Sequence, residues 1–280
     1  MSRFPLADEY FESLRTTGKH TPQNLIEKTR SLQERLSQEF EQLNQTDNYR
    51  KEFIGDISHE LKTPIFSIQG YLETLSAGAL DDPAVNRNFL YKALKNVERL
   101  TLLTNDLMEI SKLESGELQP NFQVIPLFTI IKDVVDTLQY KAEQNEISLE
   151  TTSEENNMFA YADRNQIRQV LTNLIDNAIK YNVKKGKVSV SCIYSNNRKS
   201  IQIQIRDTGI GIPVEDIERV TERFFRVDKS RSRDQGGTGL GLSIVKHILE
   251  QHQQHLYISS NPGKGSTFLF HLKTARPNKD

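Results

Sequence analysis

Apolar residues near the start of the chain recur at helical spacing. From Leu25 they follow one another in steps of four, three, four, four and three residues, which is a heptad seam carrying one four-residue insertion. Glu, Arg, Gln and Lys surround this seam, so the pattern predicts a coiled coil over residues 21–50 that needs a partner helix. Residues 1–20 show no clear period and predict a loosely ordered segment. The seam is formed by Leu25, Thr29, Leu32, Leu36, Phe40 and Leu43.

The helical pattern continues until a turn at residues 76–78. After a second turn at residues 81–83, another apolar stripe runs from Phe89 to Ile110. Two long helices with a short connection predict an antiparallel helical hairpin over residues 51–115. One hairpin cannot bury both stripes, so we expect two copies to form a dimeric four-helix bundle. Residues 116–121, which include a glycine and a proline, predict a linker.

Beyond the linker, helical and alternating patterns are interspersed. Three helices over an antiparallel-rich sheet predict a multidomain protein whose second part is an α+β sandwich of two layers over residues 122–274, followed by a tail at 275–280. The predicted helices cover residues 126–144, 164–181 and 239–252, and the predicted strands cover residues 147–152, 187–194, 200–206, 255–260 and 266–273.

Composition and charge narrow the class of protein. The 280 residues have room for two domains, and a net charge of −1 provides no global field that would attract nucleic acid. The single Cys192 cannot form an internal disulfide, which fits a reducing compartment. No apolar run approaches the roughly 18 residues that span a bilayer, and no signal-peptide core is evident. We therefore expect a soluble, cytoplasmic chain that does not bind nucleic acid.

A histidine, a carboxylate and a hydroxyl lie within five positions of the first long helix. His59 and Thr63 are four residues apart and share a helix face, whereas Glu60 lies about 100° around the axis. Pro64 cannot donate a backbone N–H, so we expect the helix to bend just after the histidine. A His-Glu pair is also typical of a solvated helix surface, so the segment alone does not establish a reactive site.

Two carboxamides share one face of the predicted helix at residues 164–181. Asn173 and Asn177 are four residues apart, and Lys180 borders the same face. An Asn oxygen suits Mg²⁺, which shares phosphate oxygens and keeps several waters. Lysine supplies a compact positive charge for a phosphate. The same residues are also ordinary on a polar helix face or as caps.

A glycine-containing turn follows directly on a predicted strand. Asp207 at the strand end can accept a hydrogen bond from an exocyclic amine such as that of adenine. Gly209 and Gly211 would let the backbone approach a flat ring. Asp-Thr-Gly also begins the catalytic loops of aspartic proteases, but this chain has no second copy and its surroundings are not all-β.

A second glycine-rich segment, residues 236–243, opens a helix, so its amides would face an anion at the helix N-terminus. The segment differs from two known glycine-rich motifs. It lacks the acidic residue after the next strand that the dinucleotide-binding fingerprint needs, and it lacks the Lys after the last glycine that the phosphate loop needs. The preceding segment contains Phe224-Phe225-Arg226 and a basic run at residues 229–233. We expect this segment to close over a nucleotide as a lid.

The chain thus contains five motifs: the histidine segment, the helix with paired Asn residues, the Asp207 glycine turn, the Phe224-Phe225 segment and the second glycine-rich segment. In this order they resemble the motifs of the sensor histidine kinases of two-component signalling. The resemblance covers roughly residues 45–274. It implies a dimerisation and histidine-phosphotransfer hairpin, followed by an ATP-binding domain of the kind found in gyrase, heat-shock chaperones and mismatch-repair ATPases.

The resemblance implies a role for each matching residue. His59 would be the phosphoacceptor, Glu60 the general base, and Thr63 the residue that orients a water to dephosphorylate the regulator's aspartate. Arg226 would reach the γ-phosphate. The nucleotide-binding set would be Asn173, Asn177, Lys180, Tyr181, Asp207, Gly209, Gly211, Gly237, Thr238, Gly239, Leu240 and Gly241.

Within that set the resemblance implies a division of labour. Asn177 would ligate Mg²⁺, Asn173 and Lys180 would lie near the phosphates, Tyr181 would lie near the nucleotide, and Asp207 would bind adenine. The glycines of the second loop would form the hinge of the lid and hold phosphates.

The resemblance also implies cofactors and partners. ATP and Mg²⁺ would be required, and the chain would act as a homodimer. No receiver domain follows the ATP-binding part, so the aspartate would belong to a separate response regulator. Such kinases are often anchored by a membrane-spanning segment, and this chain would be the cytoplasmic portion of such a sensor. Two alternatives remain open: an ATPase that gates a conformational change, and a dimeric scaffold with a vestigial nucleotide site.

Overall fold

The computed structural model describes residues 22–227 and 237–276. The expected loose segment at residues 1–20, the basic run at 229–233 and the end of the tail lie outside these residues. By their contacts the chain divides into two compact units, residues 1–59 and residues 60–280. The domain boundaries predicted from the sequence stay a prediction.

A single helix, α1, runs from Pro22 to Ser76 and contributes its first part to the first unit. The predicted helix is therefore confirmed. Along its seam Leu36 is 51% exposed and Phe40 is 67% exposed, so in one chain these apolar residues face solvent. An uncovered stripe of this kind is what a coiled coil would bury, and the coiled coil itself stays a prediction.

In the second unit the end of α1 and helix α2, Asn86–Glu114, form the predicted antiparallel hairpin. Tyr71 stacks on Phe89 with ring centroids 5.8 Å apart, and Glu60 pairs with Arg99. Tyr71 follows Glu60 along α1, whereas its partner Phe89 precedes Arg99 along α2. The two helices therefore run antiparallel. Pro64 is buried inside α1 and does not interrupt it, while the predicted bend remains a prediction.

The rest of the second unit is an α+β sandwich, as predicted. Its helices are α3 Leu127–Gln144, α4 Arg164–Lys180 and α5 Gly241–Gln251, and the strands of its larger sheet are β2 Ser148–Ser153, β4 Lys187–Tyr194, β5 Ser200–Asp207, β6 Tyr257–Asn261 and β7 Gly265–Lys273. This sheet has the order β2-β4-β5-β7-β6, in which β2 and β4 are parallel and the other neighbours are antiparallel. Helices α3, α4 and α5 form the second layer.

The sandwich core follows from the alternation of apolar residues along the central strands. Val190 lies opposite Ile205, and Ile203 lies opposite Phe270, all on the face that the helices cover. Each of these side chains is fully buried. Burying an aliphatic or aromatic side chain contributes about 1.5–3 kcal/mol, so this face holds the helices against the sheet.

The structure also contains a two-stranded ribbon that was not predicted from the sequence. Strand β1, Gln123–Pro126, pairs antiparallel with β3, Phe159–Ala162. The helix predicted from residue 126 therefore begins at Leu127, because Pro126 ends β1 and lies opposite Phe159. Four-residue strands are too short to show a period, and their pairing spans more than thirty residues of chain.

Among the described residues, no helix has both the length and the apolar character that crossing a bilayer requires.

Candidate functional site

A cavity of about 330 Å³ lies in the second unit. It is bounded by one face of α4, the end of β5, the start of α5 and one face of α2. The sequence-predicted residues that line it are Asn173, Asn177, Lys180, Tyr181, Asp207, Gly211, Arg226, Gly237, Thr238, Gly239 and Gly241. Gly209, Leu240, Glu60 and Thr63 are in the same unit but do not line the cavity.

Helix α4 presents the two carboxamides because its other face is buried. Asp163 caps the helix by accepting hydrogen bonds from the N–H groups of Asn165 and Gln166. The apolar stripe through Leu171 and Leu174 is fully buried in the sandwich core. Asn173 and Asn177, on the opposite face, are half-buried at the cavity wall. The spacing read from the sequence therefore places both amides in one site.

Asp207 ends β5 with its carboxylate inside the cavity wall. Its Oδ1 accepts hydrogen bonds from the N–H of Gly209 at 2.8 Å and of Ser266 at 3.2 Å. Burial raises the pKa of the Asp207 carboxyl, and the two N–H groups act in the opposite direction. Both bonds fall on one oxygen, and none of the described hydrogen bonds uses Oδ2. That oxygen can accept a hydrogen bond from a ligand.

The two glycines after Asp207 are required by the chain's own backbone. A Cβ on Gly209 would lie 2.3 Å from the carbonyl oxygen of Tyr181. Gly211 has φ +69°, and a Cβ there would lie 2.2 Å from the carbonyl oxygen of Asn261. From the sequence these glycines were expected to admit a flat ring. In the structure their nearest neighbours are backbone oxygens of the chain itself, and these segments shape the cavity wall.

The second glycine-rich loop packs against the aromatic segment. Gly239 has φ +79°, and a Cβ there would lie 2.9 Å from the Cα of Phe224. Phe224 itself has φ +59°, an uncommon backbone conformation for a bulky residue, and its N–H donates to the Gly239 carbonyl at 3.0 Å. Strained backbone of this kind is concentrated at ligand-binding and switch regions. Gly236 lies outside the described residues.

Lys180 brings a cation to the cavity. Its burial, together with the nearby charges of Arg226, Lys141 and Arg99, lowers the pKa of Lys180 to about 8, although Asp176 acts in the opposite direction. The ammonium lies 5.1 Å from the ring centroid of the adjacent Tyr181. Lys180 is therefore mostly protonated at neutral pH and would be stabilised by an anionic ligand.

Arg226 joins the glycine-rich loop to helix α1. Its Nη2 donates to the carbonyl oxygen of Gly237 at 2.6 Å and to Oε2 of Glu60 at 3.2 Å. The side chain of Arg226 is only 7% exposed. Arg99 on α2 binds the same carboxylate oxygen, with Nη2 3.0 Å from Oε2. Glu60 on α1 is thus bound by two arginines, Arg99 from α2 and Arg226 from the segment that precedes the glycine-rich loop.

Helix α2 contributes to the cavity an acidic residue, Asp106, that was not predicted from the sequence. Thr238 Oγ1 donates to Oδ2 of Asp106 at 2.6 Å, which ties the glycine-rich loop to the hairpin. Burial raises the pKa of Asp106 and of Glu109. Arg99 and Asp106 are seven residues apart and so lie on one helix face. The same spacing is ordinary for charged residues on a solvated helix, so the sequence alone does not single these two out.

The other two residues of the histidine segment with an expected role, His59 and Thr63, are at least partly exposed to solvent. His59 belongs to the first unit, and its side chain is exposed. Thr63 is half-buried in the second unit, and its backbone carbonyl accepts a hydrogen bond from Ser67 Oγ at 2.9 Å. The geometry leaves the roles of both residues as proposals.

Two family models match the chain. The model of the phospho-acceptor domain of histidine kinases matches residues 49–116. The model of the ATPase domain shared by histidine kinases, DNA gyrase B and HSP90 matches residues 162–276. The first range contains the hairpin, and the second contains the Asp207 turn and the glycine-rich loop.

Known proteins agree with these matches. The sensor histidine kinase WalK of Bacillus subtilis is 36% identical over 234 residues, which cover 84% of this chain and 38% of WalK. The structure of the histidine kinase AdeS of Acinetobacter baumannii is 27% identical, with a TM-score of 0.62, covering 78% of this chain and 98% of that one.

The structure of histidine kinase ThkA in complex with the response regulator TrrA has a TM-score of 0.67 at 24% identity, covering 94% of this chain and 69% of that one, and shows the same fold. The chain spans well under two thirds of the length of curated relatives such as WalK. His59 and the hairpin lie in the range of the first family model, and most of the residues that line the cavity lie in the range of the second. The chain belongs to the sensor histidine kinases of two-component systems.

Proposed function

We propose that this chain is an ATP-dependent protein-histidine kinase. In this proposal it phosphorylates its own His59, passes the phosphoryl group to an aspartate of a separate response regulator, and also dephosphorylates that regulator. The observation that carries the proposal is the cavity in the second unit, where a carboxylate suited to an amine and cations suited to phosphates line one space. ATP and receiver domains occur in the cytoplasm, so the reaction belongs there.

The cavity residues fit a nucleoside triphosphate. The unused Oδ2 of Asp207 suits the exocyclic amine of adenine, and Lys180 with its lowered pKa suits a phosphate. The amide oxygen of Asn177 suits Mg²⁺, which would share the phosphate oxygens and neutralise their charge. Among the described residues no group of three His, Cys, Asp or Glu could hold a metal ion on its own.

The proposed transfer needs a neutral imidazole. The attacking ring nitrogen of His59 would form a bond to the γ-phosphorus, the bond from that phosphorus to the bridging oxygen would break, and ADP would leave with the electron pair. Glu60 would accept the proton from the other ring nitrogen. In the second transfer an aspartate oxygen of the regulator would take the phosphoryl group from His59. Thr63 would orient the water that later hydrolyses the aspartyl phosphate.

A homodimer is the proposed working form. On the hairpin several large apolar side chains are exposed in the single chain, at helical spacing on both helices. A second copy would bury them in a four-helix bundle. These residues are Ile65 and Leu72 on α1 and Leu90, Leu94 and Val97 on α2.

Labelling with ATP tests the proposal. Incubation of the chain with γ-labelled ATP and Mg²⁺ should give a protein label that is lost in acid and kept in base, and that moves to an added receiver domain. ATP turnover without a labelled protein would instead favour an ATPase that gates a conformational change. Neither turnover nor nucleotide binding would favour a scaffold with a vestigial site.

The lowered pKa of Lys180 predicts a pH dependence of ATP binding. Below pH 8 the ammonium is charged and attracts phosphate, and above pH 8 the free protein loses this charge. ATP affinity should therefore be highest near pH 7 and fall between pH 8 and 10, by at most about tenfold per pH unit for one linked proton. Binding at pH 8 should also take up protons, because phosphate raises the pKa of the ammonium. Calorimetry in buffers of different ionisation heat measures both effects.

Lys180→Met should remove this pH dependence, and the matched change Lys246→Met, at an exposed position on α5, should keep it. If the affinity of Lys180→Met for ATP falls with pH as steeply as that of the parent protein, a group other than Lys180 causes the pH dependence.

A further inference from the structure

Glu60 is held through one of its two oxygens. Arg99 and Arg226 both donate to Oε2, at 3.0 and 3.2 Å. The exposed fraction of the side chain is 17% for Glu60, 10% for Arg99 and 7% for Arg226. These ion pairs are therefore shielded from water. None of the described hydrogen bonds uses Oε1 of Glu60. The carboxylate is thus fixed at one oxygen, and the other can accept a proton.

The two arginines differ in what else holds them. Arg226 also donates to the Gly237 carbonyl and lines the cavity, so its position depends on the glycine-rich loop and on any ligand there. Arg99 lies on α2, which belongs to the same hairpin as Glu60, and it does not line the cavity. If a phosphate draws Arg226 away from Glu60, the contact with Arg99 does not have to break.

We propose that Arg99 is a positioning residue for phosphorylation of His59. It holds Oε2 of Glu60 so that Oε1 stays directed for proton transfer after Arg226 has turned to the phosphates. The inference rests on the proposed function, and adds a residue on the second hairpin helix to it. Without Arg99 the carboxylate would be a shielded charge with a single mobile partner, and it would turn toward Arg226 or solvent. Arg99 touches no reacting atom and acts through Glu60.

A double-mutant cycle tests this inference in the full chain. Arg99→Met should lower the rate constant of His59 phosphorylation by about tenfold or more, which is less than the full contribution of about 10²–10⁴ from a general base, because Glu60 itself remains. The KM for ATP and the affinity for ADP should change by less than about twofold, because Arg99 does not line the cavity. Arg99→Lys should retain more activity than Arg99→Met, because it keeps a charge at that site.

In a Glu60→Gln background, Arg99→Met should have no further effect on the residual rate, because the group through which it acts is already lost. This double variant removes Arg99 together with the carboxylate that it binds, and ADP binding checks that the fold is intact. Arg87→Met, at an exposed position on the same helix, is the matched control and should leave the rate unchanged.

Equal losses from Arg99→Met in both backgrounds, with a labelled parent protein, would show a structural role and overturn this inference alone. An unchanged rate in Arg99→Met would also overturn it. A parent protein that takes no label would overturn the proposed function and this inference with it.

Discussion

Asp207→Asn should lower the affinity for ATP and for ADP by about 100-fold. Loss of a charge-assisted hydrogen bond costs about 1.5–3 kcal/mol, and each 1.4 kcal/mol is a factor of ten in affinity. The amide oxygen of Asn can still accept the N–H groups of Gly209 and Ser266, so the turn should survive. The amide NH₂ would then face the adenine amine, and two donors cannot pair. Titration calorimetry with both nucleotides measures the effect.

ATP and ADP should lose affinity equally, because the proposed contact is to the base and not to the phosphates. Asp136→Asn, at an exposed position on α3, is the matched control and should bind as the parent does. An affinity of Asp207→Asn within threefold of the parent would remove Asp207 from the adenine site.

Glu60→Gln should lower the rate constant of His59 phosphorylation by about 10²–10⁴, the range that general acid–base catalysis contributes. Glutamine keeps the size of glutamate but cannot accept a proton at neutral pH. ATP binding should not weaken, because Glu60 does not line the cavity. The loss of its charge would also weaken its ion pair with Arg226. Single-turnover labelling measures the rate, and equilibrium binding of a non-hydrolysable ATP analogue measures the affinity.

Glu73→Gln, at an exposed position on the same helix, should behave as the parent protein. A phosphorylation rate of Glu60→Gln within fivefold of the parent would rule out a general base at this position. A parallel loss of ATP affinity would instead indicate that Glu60 supports the nucleotide site.

The α4 face and the Asp207 turn could be predicted from the sequence because they depend on local spacing. Asn173 and Asn177 lie four residues apart on a helix whose apolar stripe is unambiguous, and the structure brings both to the cavity. Asp207 ends an alternating strand, and its position follows from that strand alone. Such features are set by helical and strand periodicity, which a single sequence contains.

Arg99 and Asp106 could not be predicted in the same way. On a sequence they are charged residues beside an apolar stripe, as on any solvated helix. Their role depends on which elements approach α2: Glu60 comes from α1, and Thr238 comes from a loop more than a hundred residues away. The same holds for the ribbon of β1 and β3, whose strands are too short to have a readable period.

The glycines were predicted for a partly different reason. The sequence indicated that Gly209 and Gly211 make room for a ligand ring, whereas in the structure their nearest neighbours are the backbones at Tyr181 and Asn261. The positive φ of Phe224 had no sequence signal, because bulky residues rarely adopt it. Close approach of two backbone segments is a tertiary property, and the identity of the neighbour emerges only with the fold.

Locating the phosphoryl group tests the central claim most directly. The chain is incubated with ATP and Mg²⁺, digested at mildly basic pH to preserve phosphohistidine, and mapped by fragmentation mass spectrometry. The proposal predicts one modified residue, His59, and no modification in His59→Gln, which should still bind ATP with the parent's affinity. Phosphate on another residue, or undiminished phosphate in His59→Gln, would contradict it.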